Sequence, residues 1–213
     1  MMESLPPAVA QPRRMSLIPP DANEVLAARA GNAAALQALS VRALPHVLQW
    51  CARLGGPRVD PEDAAHDVMI VVLTRLHTLS EPELFGSWLF GITRRVLAGH
   101  RRRRWFESWI PGMRGEPRDP AADPHYQAEL SDLSRHVQGA LEDISTEHRE
   151  ILVLTDIEER TEGEVAEILR LPIGTVRSRT YRARKAFLQV AEKHHLPAIV
   201  FETARSVAPR GGA

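Results

Sequence analysis

Apolar residues recur every three or four positions along most of this chain, which predicts amphipathic helices and no strand of any length. The helical spacing covers residues 21–54, resumes after Asp60 and starts again near Glu81. A second block of helical spacing covers residues 128–193. The stretch 108–124 between the two blocks is rich in Pro, Gly and Asp, which is typical of a linker. We therefore expect an all-α protein with two small helical domains joined by a flexible linker.

These patterns divide the chain into a leader, two domains, a linker and a tail. Residues 1–20 are rich in proline and have no periodicity, so we expect a disordered leader. The two helical domains are expected at 21–106 and 128–195. The linker is expected at 107–127, and the tail at 196–213.

The most specific pattern is a short helix, a turn and a longer basic helix within residues 161–188. Thr161 and Glu164 form a T-x-x-E capping box, which starts the first helix at a defined residue. Pro172 follows the turn and can open the second helix, since proline disfavours helical geometry in the residue before it. The C-terminal domain is therefore expected to be a helix-turn-helix, whose second helix can lie in the major groove of DNA.

The second helix of this motif has an apolar stripe on one side and basic or hydroxyl residues on the other sides. The stripe is expected to be buried and comprises Ile173, Val176, Thr180, Ala183 and Phe187. The candidates for contact with DNA are Thr175, Arg177, Ser178, Tyr181, Arg182 and Lys185. A basic amphipathic helix with solvated charges is the alternative, but it does not explain the capped helix and the short turn.

The net charge of zero argues against a nucleic-acid-binding protein when it is taken alone. The distribution of charge along the chain points the other way. Arginines are dense at 94–104 and again at 177–185, whereas acids gather at 60–67 and 142–167. Segregated charge of both signs predicts DNA at one surface and a protein at another.

Several classes of protein are excluded by what the chain lacks. No run of residues is long and apolar enough to span a bilayer, and the N-terminal residues do not resemble a secretory signal. The single cysteine, Cys51, excludes an internal disulfide and a cysteine-cluster metal site. These exclusions lead us to expect a cytoplasmic protein.

Four segments, taken in order, resemble the extracytoplasmic-function (ECF) sigma factors, the compact class of bacterial RNA polymerase initiation factors. They are DPEDAAHDVM at 60–69, FGSWLFGITRRVLAGHRRRR at 85–104, ISTEHREILVL at 144–154 and LPIGTVRSRTYRARKAF at 171–187. The resemblance implies a factor that binds core RNA polymerase, directs it to specific promoters and assists promoter melting. It implies no catalysis, and no cofactor, metal or small-molecule substrate is expected.

The resemblance also implies a role for each charged segment. The residues implied to contact core polymerase are Asp60, Glu62, Asp63, His66 and Asp67. The residues implied to bind the minus-ten element and to melt the promoter are Trp88, Arg94, Arg95, Arg101, Arg102, Arg103 and Arg104. The helix-turn-helix is implied to read the upstream, minus-thirty-five element. Family members are often held inactive by an anti-sigma factor, frequently at the membrane, which adds a third expected partner.

The chain departs from the usual family pattern at several positions. Arg170 stands where a glycine is common before the turn, and Glu162 stands where a tyrosine is common. Arg95 stands where an asparagine commonly helps to hold a flipped promoter base.

Two other functions fit parts of the pattern. A dimeric helix-turn-helix regulator that binds palindromic DNA would use the same recognition helix. A metal-dependent recombinase or nuclease could use Asp63 and Asp67, which lie one helical turn apart, although a hard metal normally needs further ligands. Trp88 also has two interpretations, since its spacing from Phe85 and Ile92 fits a core position as well as it fits stacking on an unpaired base.

Overall fold

The computed structural model describes residues 21–107, 132–194 and 196, and these residues are α-helical with no strand. The first half contains four helices: α1 Ala22–Arg29, α2 Ala33–Gly55, α3 Pro61–Arg75 and α4 Phe85–Glu107. The second half also contains four: α5 Asp132–Glu142, α6 Thr146–Leu152, α7 Glu162–Leu169 and α8 Ile173–Ala191. The all-α class expected from the sequence is therefore confirmed. The expected leader, almost all of the expected linker and the expected tail beyond Leu196 lie outside the described residues.

The first helical block is divided into two helices rather than one. Asp21 caps α1, since its carboxylate accepts a hydrogen bond of 3.0 Å from the backbone N–H of Asn23. Gly31, two residues after the end of α1, adopts a φ of 90°, which a right-handed helix cannot accommodate and which glycine adopts more readily than L residues. Asn32 caps α2 by accepting from the N–H of Ala35 at 3.0 Å. The periodic spacing indicated the helices but not this break.

The start of α3 follows the sequence signals closely. The Asp60 carboxylate accepts hydrogen bonds from the N–H groups of Glu62 and Asp63, at 2.9 and 3.2 Å. Pro61 is the first helical residue. An N–H at this position has no acceptor within the helix, so the proline costs no hydrogen bond there. Short 3₁₀ turns at Leu76–Thr78 and Pro82–Leu84 then lead into α4.

The buried apolar residues of the two halves form one continuous core. Helix α2 packs against α5 and α6, and α4 packs against α7. Trp50 is fully buried, and its ring meets Phe90 edge-on with centroids 5.1 Å apart. The two halves are therefore in contact within the described part of the chain.

A buried arginine holds the end of α5 against α6. Arg149 is only 5% exposed, and its guanidinium donates to the carbonyl oxygens of Leu141, Glu142 and Ile144 at 2.7, 3.0 and 3.4 Å. The last carbonyls of a helix have no partner within the helix, so this side chain satisfies acceptors that burial would otherwise leave unpaired. A single π-helical turn, Val153–Ile157, then follows α6.

The helix-turn-helix forms as the sequence predicts, and its capping box is confirmed. Thr161 accepts from the N–H of Glu164 at 3.3 Å, while the Glu164 carboxylate accepts from the N–H of Thr161 at 2.9 Å. Arg170 ends α7 in the left-handed region, with a φ of 54°. This conformation explains why glycine is favoured at such a position.

The buried stripe of α8 is shorter than predicted. Val176, Ala183 and Phe187 are buried and Thr180 is half-buried, but Ile173 is 47% exposed. The prediction that Ile173 is buried was therefore wrong. Ile173 is the first residue of α8, and helical side chains lean towards the N-terminus, so it lies beyond the start of the packed stripe.

Candidate nucleic-acid interface

The outer side of α8 carries five of the six predicted DNA-contact residues in exposed positions. These are Arg177, Ser178, Tyr181, Arg182 and Lys185, while Thr175 is half-buried. The face is anchored on its opposite side by Val176, Ala183 and Phe187. A helix buried along one side and basic along the other has the form of a recognition helix.

Two of the exposed arginines on α8 are oriented by neighbouring groups. The Arg177 Nε donates to Glu162 Oε2 at 2.6 Å, which ties α8 to the first turn of α7. The Arg182 Nε donates to the carbonyl of Ser178 at 3.2 Å, so its guanidinium lies along its own helix. Both arginine side chains are therefore exposed to solvent, and each is held in one orientation by its hydrogen bond.

Two further arginines of α8 serve the packing of the second half. Arg184 forms a two-point contact with the Asp156 carboxylate, at 2.5 and 3.1 Å. Arg179 lies 3.3 Å from the Glu147 carboxylate on α6. The sequence did not indicate these ion pairs, because both acids lie on other elements.

The predicted downstream-element residues on α4 separate into two groups. Arg95, Arg102 and Arg103 are exposed, and Arg104 is half-buried. Arg94 is different, because its guanidinium contacts the Glu150 carboxylate of α6 at 2.7 Å.

Arg101 and Trp88 also have partners within the protein. Arg101 donates to the carbonyl of Leu54 at 2.9 Å, and burial lowers the pKa of its guanidinium from the usual value. Trp88 is half-buried and packs against Phe85, with ring centroids 6.0 Å apart. Trp88 therefore lies at the edge of the core and is only partly buried, which is compatible with both interpretations of this residue.

Four of the five predicted polymerase-contact residues lie on α3, and the fifth, Asp60, immediately precedes it. Glu62, Asp63, His66 and Asp67 are exposed, and the carboxylate of the half-buried Asp60 is used as the helix cap. Asp67 also contacts the His100 ring at 2.8 Å.

Two apolar residues extend this acidic surface and were not identified from the sequence. Ile70 and Leu73 are 46% and 49% exposed on α3. They fall outside the buried stripe of Ala64, Val68 and Val72 and continue the side of the helix that carries the acids. The sequence could have indicated their exposure, because Ile70 and Leu73 do not follow the helical spacing of the buried stripe.

Neither a metal-binding cluster nor a membrane-spanning helix is found in the part of the chain that the structure describes. No group of three or more His, Cys, Asp or Glu side chains there could hold a metal ion. None of the described helices is long and apolar enough to cross a membrane.

Comparison with known proteins identifies two successive regions of one family. The family described as Sigma-70 region 2 matches residues 39–107, and the family described as Sigma-70, region 4 matches residues 135–187. The first match covers most of α2 through α4, and the second covers most of α5 through α8.

Curated relatives and a solved structure agree with these matches. The ECF RNA polymerase sigma factor SigE of Mycolicibacterium smegmatis is 31% identical over 150 residues, which cover 70% of this chain and 58% of SigE. SigC of Mycobacterium tuberculosis is 29% identical over 181 residues, which cover 80% of this chain and 91% of SigC. The structure of CnrH in complex with the cytosolic domain of CnrY has a TM-score of 0.59 at 23% identity, covering 81% and 97% of the two chains, and shows a similar fold.

The two alternative functions are not favoured by these findings. A dimeric helix-turn-helix regulator would account for residues 135–187 but not for the region-2 match at 39–107. A metal-dependent recombinase or nuclease would account for neither match. Both regions occur here in order, and relatives of similar extent, SigC and SigW, are ECF RNA polymerase sigma factors. The chain therefore belongs to the sigma-70 family, as a member of its ECF group.

Proposed function

We propose that this protein binds core RNA polymerase, directs it to specific promoters and assists promoter melting, without catalysis of its own. The observation that carries the proposal is the exposed basic side of α8, held in a capped helix-turn-helix. A region-2 segment precedes this motif in the same chain. One protein with both regions can contact DNA at two places.

The upstream element would be read by α8. Arg177, Ser178, Tyr181 and Arg182 face the solvent along this helix, where they could reach base edges in the major groove. Thr175 and Lys185 lie nearer its ends, where phosphate contacts fix the register of a protein on the duplex.

The downstream element would be held by α4. Arg95 and Arg102 are exposed along this helix, and Trp88 is partly buried at the edge of the core. Arginines in such a run contact phosphates by default, whereas an aromatic ring can stack on an unpaired base. Arg94, Arg101, Arg103 and Arg104 belong to the same proposed surface.

Core polymerase would bind the side of α3 that carries Asp63 and Asp67. Exposed acids can pair with basic residues of a partner and can steer the encounter. Ile70 and Leu73 add apolar area beside the acids, which suits a stable protein contact better than charge alone. Glu62 and His66 complete this proposed surface, and Asp60 positions it through its capping contacts.

A second protein partner is part of the proposal. CnrH was solved in complex with the cytosolic domain of CnrY, and family members are often held by anti-sigma factors. We therefore expect that an anti-sigma factor binds this chain. We also expect a cytoplasmic location, because core polymerase and promoters are found there.

Transcription in vitro tests the proposal directly. Bacterial core polymerase would be incubated with the purified chain and a library of promoter fragments, and the transcripts would be sequenced. We expect initiation at a defined set of two-element promoters that core polymerase alone does not use. Transcripts unchanged by addition of the chain would refute the proposal.

A further inference from the structure

An exposed ion pair joins the two helices of the helix-turn-helix on its proposed DNA-contacting side. The Arg177 Nε of α8 donates to the Glu162 Oε2 of α7 at 2.6 Å, across 15 positions of the chain. The two side chains are 68% and 48% exposed. Ion pairs with this much exposure contribute little to stability, because water solvates both charges. Folding stability alone therefore does not account for the pair.

The Glu162 carboxylate extends from a well-fixed piece of backbone. Glu162 is the first residue of α7 and directly follows Thr161, whose capping box with Glu164 sets the start of that helix. A carboxylate in the first turn of a helix is also stabilised by the helix dipole. Helix α7 packs against α8, and Val165 and Val176 are fully buried in the core beside them. Glu162 is therefore held in a constant position relative to the start of α8.

The ion pair of Arg177 differs from the other arginine contacts of α8. Arg179 and Arg184 are half-buried, and their ion pairs serve the packing of the second half. Arg182 is exposed but bonds to its own helix. Among the arginines of α8, all of which the structure describes, Arg177 alone is both exposed and joined to another helix.

The bond through Nε determines which donors of Arg177 remain available. In the described part of the chain no other group bonds to this guanidinium, so Nη1 and Nη2 remain for a ligand. These two nitrogens can donate together to O6 and N7 of a guanine, the commonest specific contact in the major groove. A phosphate at the same place would lie beside the Glu162 carboxylate and be repelled by it, whereas a guanine edge carries no net charge.

We propose that Glu162 is a positioning residue for the upstream element: it holds the Arg177 guanidinium for a guanine in the major groove and disfavours its use on a phosphate. This inference rests on the proposed function, because it assigns a specificity-determining role within the same DNA-contacting motif. A side chain that is ordered before binding loses less conformational entropy on binding. Immobilising one long side chain costs roughly two- to tenfold in affinity, which sets the size of the expected effect.

Sequence selection by the full-length chain in complex with core polymerase tests this role. The probe is a promoter found by the transcription assay, with its upstream element randomised. For the wild-type chain we expect one position at which guanine is preferred roughly tenfold or more. Arg177→Ala should lose the preference at that position alone. Arg177→Lys should lose it as well although the charge is kept, because an ammonium cannot make the two-point contact.

Removal of the carboxylate is the central comparison. Glu162→Ala should lower the guanine preference about threefold, because the free arginine must then be ordered on binding. The freed guanidinium can also take a phosphate, so binding to a duplex of unrelated sequence should become tighter, and its slope of log K against log salt steeper by about 0.9. Glu162→Gln keeps an oxygen that can accept from Nε and should be intermediate.

Glu147→Ala is the matched control. Glu147 also lies in the first turn of a short helix and pairs with an arginine of α8, Arg179, which is not a predicted DNA contact. Both alanine variants lose one negative charge, so a general effect of charge would appear in both. We expect the control to keep the wild-type guanine preference and the wild-type salt slope.

A double-mutant cycle shows whether Glu162 acts through Arg177. In the Arg177→Ala background, Glu162→Ala should no longer steepen the salt slope, and a slope that still steepens would show that the carboxylate acts as a general charge. Unchanged selection by Arg177→Ala, or by a folded Glu162→Ala chain, would refute the positioning role alone. A wild-type complex that enriches no sequence would refute the proposed function and this inference with it.

Discussion

Replacement of Arg149 by methionine should destabilise the whole described core. Methionine keeps most of the apolar stem of the side chain but removes a guanidinium that donates to Leu141, Glu142 and Ile144. Leu141 and Ile144 are buried, so water has poor access to their carbonyls after the substitution. A buried acceptor left without a partner costs ~1–3 kcal/mol, and we therefore expect the free energy of unfolding to fall by ~3–5 kcal/mol.

Urea unfolding of the full-length chain, followed by helical circular dichroism, would measure this loss. An m-value of ~2–3 kcal/mol/M suits a chain of this size, so a loss of ~4 kcal/mol should lower the midpoint by about 1.5 M. Arg149→Lys is the matched control. It keeps the charge, but an ammonium lacks the planar fork that reaches several carbonyls, so its loss should be intermediate.

If the free energy of unfolding of Arg149→Met lies within about 1 kcal/mol of the wild-type value, which is the contribution of one ordinary hydrogen bond, the Arg149 guanidinium does not hold the end of α5. Equal losses in Arg149→Met and Arg149→Lys would refute only the intermediate loss expected for lysine. They would show that the geometry of the guanidinium, rather than its charge, holds the end of α5.

Four further outcomes follow from the same contacts. Arg182→Ala should weaken upstream-element binding by the polymerase complex at unchanged helicity, by ~1–3 kcal/mol if the arginine contacts a base, and wild-type affinity would exclude such a contact. Asp63→Arg combined with Asp67→Arg should abolish co-purification with core polymerase. A normal yield of the complex would show that these acids are solvated and do not contact polymerase. Burial, and secondarily the charge of Arg160, lowers the pKa of His46, so the unfolded state binds its proton more tightly. Stability should therefore be complete above about pH 6.5 and fall as the pH drops below it, and His46→Gln should flatten that part of the pH profile of thermal unfolding. Burial raises the pKa of the Cys51 thiol to about 12, so a thiol reagent at pH 8 should react only as the protein unfolds, and rapid labelling of the native chain would contradict its burial.

The local parts of this structure could be predicted from the sequence because their causes lie within a few residues of one another. The capping box of Thr161 and Glu164 and the Asp60 cap of α3 involve side chains and backbone groups within one helical turn. The same holds for the exposed basic side of α8, since helical periodicity separates it from the buried stripe. The break at Gly31 was missed because a single glycine within a periodic pattern does not say which φ it will adopt.

The partners of the charged residues were decided by tertiary structure alone. Trp50 and Glu158 are 108 positions apart, and Arg94 pairs with an acid on a different helix of the other half. No periodicity relates such residues, because their contact depends on which sides of α2, α4 and α6 face each other when the halves pack. The sequence by itself determined the helices, the recognition motif and the two oppositely charged surfaces. Only the packed structure decided which arginines remain exposed to solvent, because burial and pairing depend on neighbours that are distant along the chain.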